Sequence, residues 1–315
     1  MFTVSDSSKK VSILVPTALL PRQLRVAARE RLLSRLEVGI ARRAGLLIIG
    51  HPKSGNTWLK VMLARLYQVR HGFKANELIG SDELALRNPA IPRLAATNAI
   101  YSYEGAVGRI LAAGAPDDPL RHKPVMLLAR NPIDIAVSWF FQFTKRQSKH
   151  KQELVNHFIE HPIDRRTIGM WDFVRHSDIG LPFLIDYLNT WKRNIGELEN
   201  AMIVRYEDLR SDTAETLKKV TVLMGEDFSD DEIAEAVSFG SFDNLRKLET
   251  SGFFRRGGMR LVNANDPETF KVRRGKVGGY GDYFTEAQTA ELEALMMERL
   301  SPTFGYRPAS GAAAD

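Results

Sequence analysis

Residues 45–67 read GLLIIGHPKSGNTWLKVMLARLY, and this stretch holds the clearest structural signal in the chain. The four apolar residues after Gly45 are typical of a short strand buried on both faces. The apolar spacing from Trp58 to Tyr67 predicts a helix, and a polar turn that contains glycine separates the two. This order of strand, turn and helix predicts one unit of a parallel sheet.

Two later segments extend the same pattern. Residues 124–129 predict a second strand, followed by a helix from about Asp134 through Phe143. Residues 201–204 predict a third strand, and 213–224 and 230–237 predict later helices. Strands that alternate with helices favour a single α/β domain in which helices cover both faces of a central parallel sheet.

The composition narrows the class of protein. With 44% hydrophobic and 26% charged residues in 315, the chain is typical of a globular protein with a large core. No apolar run approaches the roughly 18 residues of a membrane-spanning helix, and residues 1–20 lack a signal-peptide layout, so we expect a cytoplasmic protein. The absence of cysteine excludes thiol nucleophiles and thiolate metal sites. A net charge of +6 favours an anionic ligand such as a nucleotide and does not require a nucleic-acid partner.

The turn at residues 50–57 is a candidate phosphate site. Backbone N–H groups at the start of a helix point toward an anion, and the helix dipole adds positive potential. A Walker A loop places lysine directly after its second glycine, whereas here Asn56 and Thr57 follow Gly55 and the lysine is Lys53. The loop therefore argues against an ATP or GTP hydrolase. A polar turn in which Asn56 or Thr57 only caps the helix is the alternative.

The loop also carries a family resemblance. Residues 52–58, PKSGNTW, resemble the phosphosulfate loop of sulfotransferases that use 3′-phosphoadenosine 5′-phosphosulfate (PAPS), which reads PKSGTTW in the cytosolic type. The resemblance implies a three-layer fold like that of P-loop NTPases, PAPS as co-substrate and no metal. It assigns Lys53 to the leaving oxygen and Trp58 to the adenine. The residues that it assigns to the 5′-phosphate are Ser54, Gly55, Asn56 and Thr57.

Two further blocks fit the same family in the expected order. Residues 130–138, RNPIDIAVS, resemble its 3′-phosphate segment, which implies that Arg130 and Ser138 hold that phosphate. Residues 270–285, FKVRRGKVGGYGDYFT, resemble its C-terminal Arg-Lys-Gly segment, which would otherwise be read as a solvated basic loop. The additional cofactor contacts that the resemblance implies are Tyr206, Ser241, Phe242, Arg273, Arg274 and Gly275.

The sequence offers three candidates for the general base. The cytosolic members use a histidine between the two phosphate motifs, and the corresponding segment here, residues 100–105, has Tyr103 at that position. Glu104 follows it and could accept the proton if burial raises its pKa. His51 is the second candidate, and Tyr103 the third.

The sequence therefore predicts sulfuryl transfer from PAPS to a hydroxyl or amine, giving PAP. The missing histidine motivates the alternative of a catalytically inactive PAPS- or PAP-binding protein. A nucleotide kinase would need a Walker lysine and a magnesium-binding aspartate, and Asp134 is better explained by the start of a helix. The acceptor stays open between a small molecule, a lipid and a glycan.

The predicted domains are a basic helical extension at 1–44, a sulfotransferase domain at 45–306 and a disordered tail at 307–315. The arginine-rich extension either touches an anionic membrane peripherally or packs on the domain with its arginines in solvent. The oligomeric state also stays open, because the family's dimer segment aligns with residues 281–290, where only Phe284 and Thr285 agree.

Overall fold

Four short strands form one parallel sheet in the computed structural model, which describes residues 5–76, 82–98, 105–112, 118–254 and 259–308. The strands are β1 Leu46–Ile49, β2 Leu94–Thr97, β3 Val125–Ala129 and β4 Ala201–Arg205, in the order β2-β1-β3-β4. In register, Ile48 of β1 lies between Ala96 of β2 and Met126 of β3. All parallel neighbours of this kind need crossover connections, which the helices supply.

The helices surround the sheet and lead into and out of its edges. Short 3-10 helices cover Pro267–Thr269, Gly279–Asp282 and Pro302–Phe304. The α-helices are α1 Asp6–Thr17, α2 Arg22–Arg42, α3 Asn56–His71, α4 Glu83–Arg87, α5 Ala106–Ala112, α6 Pro132–Phe141, α7 Lys149–Phe158, α8 Met170–Arg175, α9 Leu181–Gly196, α10 Tyr206–Ser211, α11 Thr213–Leu223, α12 Asp230–Phe239, α13 Phe242–Thr250 and α14 Glu286–Arg299.

The sheet separates two apolar cores. Successive residues of β1 alternate between them, since side chains along a strand point to opposite faces. Leu47 and Ile49 join the core beneath α6, α9 and α14. Leu46 and Ile48 join the core beneath α3 and α12. Both faces are therefore buried, and the predicted α/β architecture with a central parallel sheet is confirmed.

The structure refines the predicted elements. The strands expected near 46, 124 and 201 are present as β1, β3 and β4. Helix α6 begins at Pro132 because the Asn131 side chain caps it, accepting from the backbone N–H of Ile133 at 2.9 Å. The α-helix ends at Phe141 and continues as a π-helical turn, Gln142–Arg146. Strand β2 was not predicted.

The N-terminal helices pack on the domain. Val26 and Leu33 of α2 form a small buried cluster with Leu154 of α7. The expectation that the arginines of a packed helix lie in solvent is wrong for Arg29, which is 6% exposed. The reason is Glu153 on α7, whose carboxylate lies 3.3 Å from the Arg29 guanidinium.

No helix in the described ranges combines the length and the apolar content needed to cross a membrane. Peripheral membrane contact and a cytoplasmic location stay predictions. The tail predicted for 307–315 lies mostly outside the described residues and also stays a prediction.

Candidate functional site

A cavity of about 530 Å³ lies beside the loop that follows β1 and the segment that follows β3. The carboxyl ends of neighbouring parallel strands meet at one edge of a sheet, which is where ligands of open α/β folds bind. The loop 270–283 and helix α13 supply the opposite wall, and α1, α2 and α7 contribute to the far end. Three sequence segments that are far apart in the chain therefore share one cavity.

The loop 50–57 is folded tightly under the start of α3. Lys53 has φ 83° and Gly55 has φ 108°, so two residues lie in the left-handed region that non-glycine residues rarely adopt. The Ser54 N–H donates to the His51 carbonyl at 3.0 Å, and the Asn56 side chain donates to the Gly50 carbonyl at 2.8 Å. A Cβ on Gly55 would lie 2.9 Å from the Tyr206 ring, so only glycine fits. This geometry presents backbone N–H groups to an anion.

Buried polar atoms around the loop are left for a ligand. Among the described residues, the Ser54 Oγ, the Asn56 Oδ1 and the Arg130 Nε are buried without a hydrogen-bond partner. Buried polar atoms are nearly always satisfied, and leaving one unsatisfied costs about 1–3 kcal/mol. A hydroxyl and a guanidinium N–H of this kind fit the oxygens of a phosphate group.

Arg130 connects the three segments. Its guanidinium donates to the Lys53 carbonyl at 3.1 Å and to the Lys276 carbonyl at 3.2 Å. It stacks 4.3 Å above the Tyr206 ring and lies 3.5 Å from the Asp134 carboxylate. With only 12% of its side chain exposed, Arg130 is a fixed charge in the cavity wall.

Two buried carboxylates hold the C-terminal loop over the cavity. Asp134 on α6 accepts the Gly278 N–H at 2.9 Å and the Tyr280 N–H at 3.2 Å. Glu249 on α13 accepts the Lys271 N–H at 2.6 Å and the Val272 N–H at 2.8 Å. The loop is therefore anchored at both ends by charge-assisted hydrogen bonds.

The predicted residues of this loop point in different directions. Arg273 lines the cavity, stacks 4.1 Å above Phe141 and donates to the Tyr283 hydroxyl. Arg274 also reaches the lining but is exposed and donates to Asp282 at 2.6 Å. Gly275 has φ 62°, and a Cβ there would lie 2.7 Å from the Phe242 ring.

Aromatic rings form a slot at one end of the cavity. The Trp58 indole donates to the Gly240 carbonyl at 2.7 Å, and its ring meets Tyr206 edge to face at 5.7 Å. Phe242 and the half-buried Ser138 line the same cavity. Ser241 was predicted to contact the cofactor, but it is exposed and is not among the described residues that line the cavity. Its hydroxyl instead caps α13 by accepting the Asn244 N–H at 3.4 Å.

The cavity concentrates positive charge. Burial lowers the pKa of Lys53 well below its ordinary value, and the charges of Lys271, Arg146, Arg130 and Arg273 lower it further. Burial and the Arg146 charge also lower the pKa of Lys271, to about 8. Like charges held this close favour the binding of a ligand that carries several negative charges.

The candidate bases are only partly placed. Glu104 and Tyr103 lie outside the described residues. His51 is fully buried, its ring lies 5.5 Å from Trp139 and 5.8 Å from Tyr187, and it does not appear in the cavity lining. Its Nδ1 lies 2.8 Å from the Pro52 carbonyl oxygen, which places the proton on Nδ1.

Sequence analysis missed several residues of the site. Asp134 and Glu249 were not identified as loop anchors, and Arg146 and Lys271 were not identified as cavity charges. Asp134 and Lys271 lie in the recognised 130–138 and 270–285 blocks, so their positions were usable signals. Glu249 and Arg146 lie in no motif, and only tertiary contacts place them beside the C-terminal loop and the cavity.

Comparison with known proteins agrees with this arrangement. A family model described as a sulfotransferase domain matches residues 44–304. Cytosolic sulfotransferase 14 of Arabidopsis thaliana is 27% identical over 270 residues, which cover 79% of this chain and 73% of that protein. Sulfotransferase 2A1 of Mus musculus is 23% identical over 275 residues, covering 85% and 87%. A mouse sulfotransferase solved in complex with PAP superimposes with a TM-score of 0.50 at 21% identity, covering 81% and 82%, and so has the same fold.

Proposed function

The chain belongs to the sulfotransferase family, and on that premise we propose that it transfers a sulfuryl group from PAPS to a hydroxyl or amine acceptor, leaving PAP and a sulfated product. One observation carries the proposal. Arg130 binds the carbonyls of Lys53 and Lys276, so the phosphate loop, the 130–138 segment and the C-terminal loop enclose one cationic cavity. These are the three segments that resemble the PAPS-binding motifs.

The residues present fit a nucleotide that carries two phosphate groups. The loop N–H groups and the hydroxyls of Ser54 and Thr57 suit a 5′-phosphate at the positive end of α3. Arg130, Ser138 and Arg273 suit a 3′-phosphate, because a guanidinium fork and a hydroxyl satisfy phosphate oxygens. Trp58, Tyr206 and Phe242 suit the adenine ring, which stacks on aromatic side chains.

Lys53 is proposed as the residue that assists the leaving group. In sulfuryl transfer the acceptor oxygen or nitrogen attacks sulfur in line while the bridging oxygen of the phosphosulfate departs with negative charge. Burial and the neighbouring charges lower the pKa of Lys53, and a bound polyanion favours its charged form because it offsets those charges. Lys53 can then donate to the departing oxygen, in the way that fixed charges stabilise phosphoryl transfer.

Glu104 remains the proposed acceptor of the nucleophile's proton. His51 is less suited to that role because Trp139, Phe183 and Tyr187 surround its ring. The absence of the family histidine at position 103 is the observation that favours the alternative, a catalytically inactive PAPS- or PAP-binding protein. The position of Lys53 in the cavity lining favours transfer.

Calorimetry with PAP tests the cofactor assignment. We expect wild type to bind PAP and Arg130→Ala to lose about tenfold to a hundredfold in affinity, the value of charge-assisted hydrogen bonds. Arg166→Ala is the matched control, because Arg166 is exposed and forms a local ion pair with Asp164. If the folded wild-type protein does not bind PAP, the assignment of PAPS as co-substrate is refuted.

Transfer is tested separately with labelled PAPS. Lys53→Ala should lower the rate more than it lowers PAP affinity, and Glu104→Gln should lower the rate alone. Wild type that binds PAP but transfers to no acceptor would support the inactive binding protein instead.

A further inference from the structure

The cavity has a second charged end, beyond the nucleotide segments. We call it the lysine end and define it by Lys10 of α1, Lys60 of α3, Arg146 of the π-helical turn, Lys151 of α7 and Lys271 of the C-terminal loop, all of which line the cavity. Each of these residues is partly buried. Five elements therefore direct cationic side chains to one place.

The lysine end borders the nucleotide segments at Lys271 and Arg146 and extends beyond them at Lys10, Lys60 and Lys151. Lys60 lies one turn beyond Asn56 on α3, and the positive charges that lower its pKa are those of Lys10 and Lys151. Those that lower the pKa of Lys53 are the charges of Lys271 and Arg146, which belong to the lysine end, and of Arg130 and Arg273, which do not. Lys271 joins the two sets, because Arg146, Lys60 and Lys151 all act on it. Lys271 therefore connects the charges near the phosphate loop with those of the N-terminal helices and α7.

Cationic side chains outnumber carboxylates among the described residues at this end. Among the described residues that line it, Glu37 of α2 is the one carboxylate, and its charge acts on Lys60. Glu249, behind the wall, is fully buried and already accepts the N–H groups of Lys271 and Val272. Counted over the residues that the structure describes, five cationic side chains and two carboxylates lie at this end. A partly desolvated positive end binds anions strongly because water screens it weakly.

The wall beside Lys151 is apolar. Leu154 and Val155 lie one turn after Lys151 on α7, line the same cavity and are each less than 9% exposed. A ligand that fills this end therefore needs an apolar body as well as negative charge.

We propose that the acceptor is a hydroxy or amino compound with an apolar body and an anionic head group, which is a carboxylate, a phosphate or a sulfate. The lysine end binds this head group while the nucleophilic oxygen or nitrogen faces Lys53. This inference rests on the proposed function. Transfer forms a bond from the acceptor oxygen or nitrogen to sulfur and breaks the bond from sulfur to the bridging oxygen. The acceptor's proton passes to the base, proposed as Glu104, and PAP departs. Lys10 and Glu37 precede the matched domain at 44–304, so the N-terminal helices take part in selecting the acceptor.

The test measures acceptor binding to the protein saturated with PAP, so that anions cannot occupy the phosphate sites. Ligand-observed NMR compares 4-hydroxyphenylacetate and 4-hydroxybenzylphosphonate with the neutral 4-hydroxyphenylacetamide. We expect both anions to bind at least about fivefold more tightly than the amide, with the phosphonate favoured if the natural head is a phosphate.

Three variants separate a charge effect from a structural one. Lys151→Met should weaken the binding of both anions about tenfold, which is the value of one charge-assisted contact. The affinity for the amide should stay unchanged. Lys149→Met is the matched control, because it removes the same charge from an exposed position on the same helix outside this lining, and should change affinity less than twofold. Glu37→Gln should raise the affinity for both anions, because it removes a negative charge from the lining. Damage to the fold would not raise this affinity.

The outcomes distinguish this inference from the proposed function. Equal affinity for amide and anions, or no binding of either anion to the PAP-loaded protein, overturns the lysine end and leaves the cofactor assignment in place. Failure of wild type to bind PAP overturns both.

Discussion

Replacing Glu249 by glutamine should destabilise the wall of the cavity without changing its shape. The Glu249 carboxylate is fully buried and accepts the N–H groups of Lys271 at 2.6 Å and Val272 at 2.8 Å. Glutamine can keep one of these bonds through its oxygen, but its NH₂ group then faces the other N–H. One charge-assisted bond is lost, worth about 1.5–3 kcal/mol, and a buried donor is left unsatisfied. Arg146, 3.8 Å away, also loses the Glu249 charge.

We therefore expect Glu249→Gln to lower the free energy of unfolding by about 3 kcal/mol, a large part of the stability of an ordinary domain. Urea denaturation measures this value, and hydrogen exchange of residues 270–276 detects an opening confined to the loop. Glu268→Gln is the control, because Glu268 is half exposed and its ion pair with Lys145 at 3.3 Å should contribute less than about 1 kcal/mol. If neither the unfolding free energy nor the exchange of this loop changes by more than the control, the assignment of Glu249 as the loop anchor is wrong.

Two further predictions concern pH and the N-terminal helices. The pKa of Lys271 is lowered to about 8, and a bound polyanion favours the charged form of this lysine, so PAP affinity should be full below pH 8 and fall up to about tenfold per pH unit above it. Calorimetry in buffers of different ionisation enthalpy should show proton uptake on PAP binding above pH 8. Constant PAP affinity from pH 7 to 9.5 would contradict this prediction. Glu153→Gln should expose α2 to limited proteolysis, because Arg29 is buried beside Glu153, whereas Glu160→Gln should not. The Arg25 hydrogen bond lowers the pKa of Glu153, so in wild type this docking should persist above the ordinary glutamate pKa and weaken as the pH falls below it.

The parts of the fold that could be predicted are those with strong local signals. Strands β1 and β3 are unbroken apolar runs, because parallel strands buried on both faces need apolar side chains at every position. Strand β2 was missed because Leu94–Thr97 is short and half alanine, and alanine has low strand propensity. The turn from α6 into a π-helical segment has no comparable signature in the sequence.

The residues of the candidate site can be grouped in the same way, into those with a local sequence signal and those without one. The residues found from the sequence lie in contiguous motifs, since a loop that wraps a phosphate takes its donors from neighbouring positions of the chain. The lysine end could not be found in this way, because Lys10, Lys60, Lys151 and Lys271 are separated by up to 261 positions.

The amino-acid sequence alone predicted the three segments that meet at the cavity beside α3, because backbone conformation and local side chains determine how a phosphate loop forms. The lysine end was decided only by tertiary structure. Its charges become neighbours when α1, α2, α7 and the C-terminal loop pack on one sheet edge, and that packing depends on buried contacts such as Glu249 with Lys271 and Leu33 with Leu154. Such long-range contacts leave no periodic pattern in the sequence, because each of the two residues follows only the local pattern of its own helix or loop.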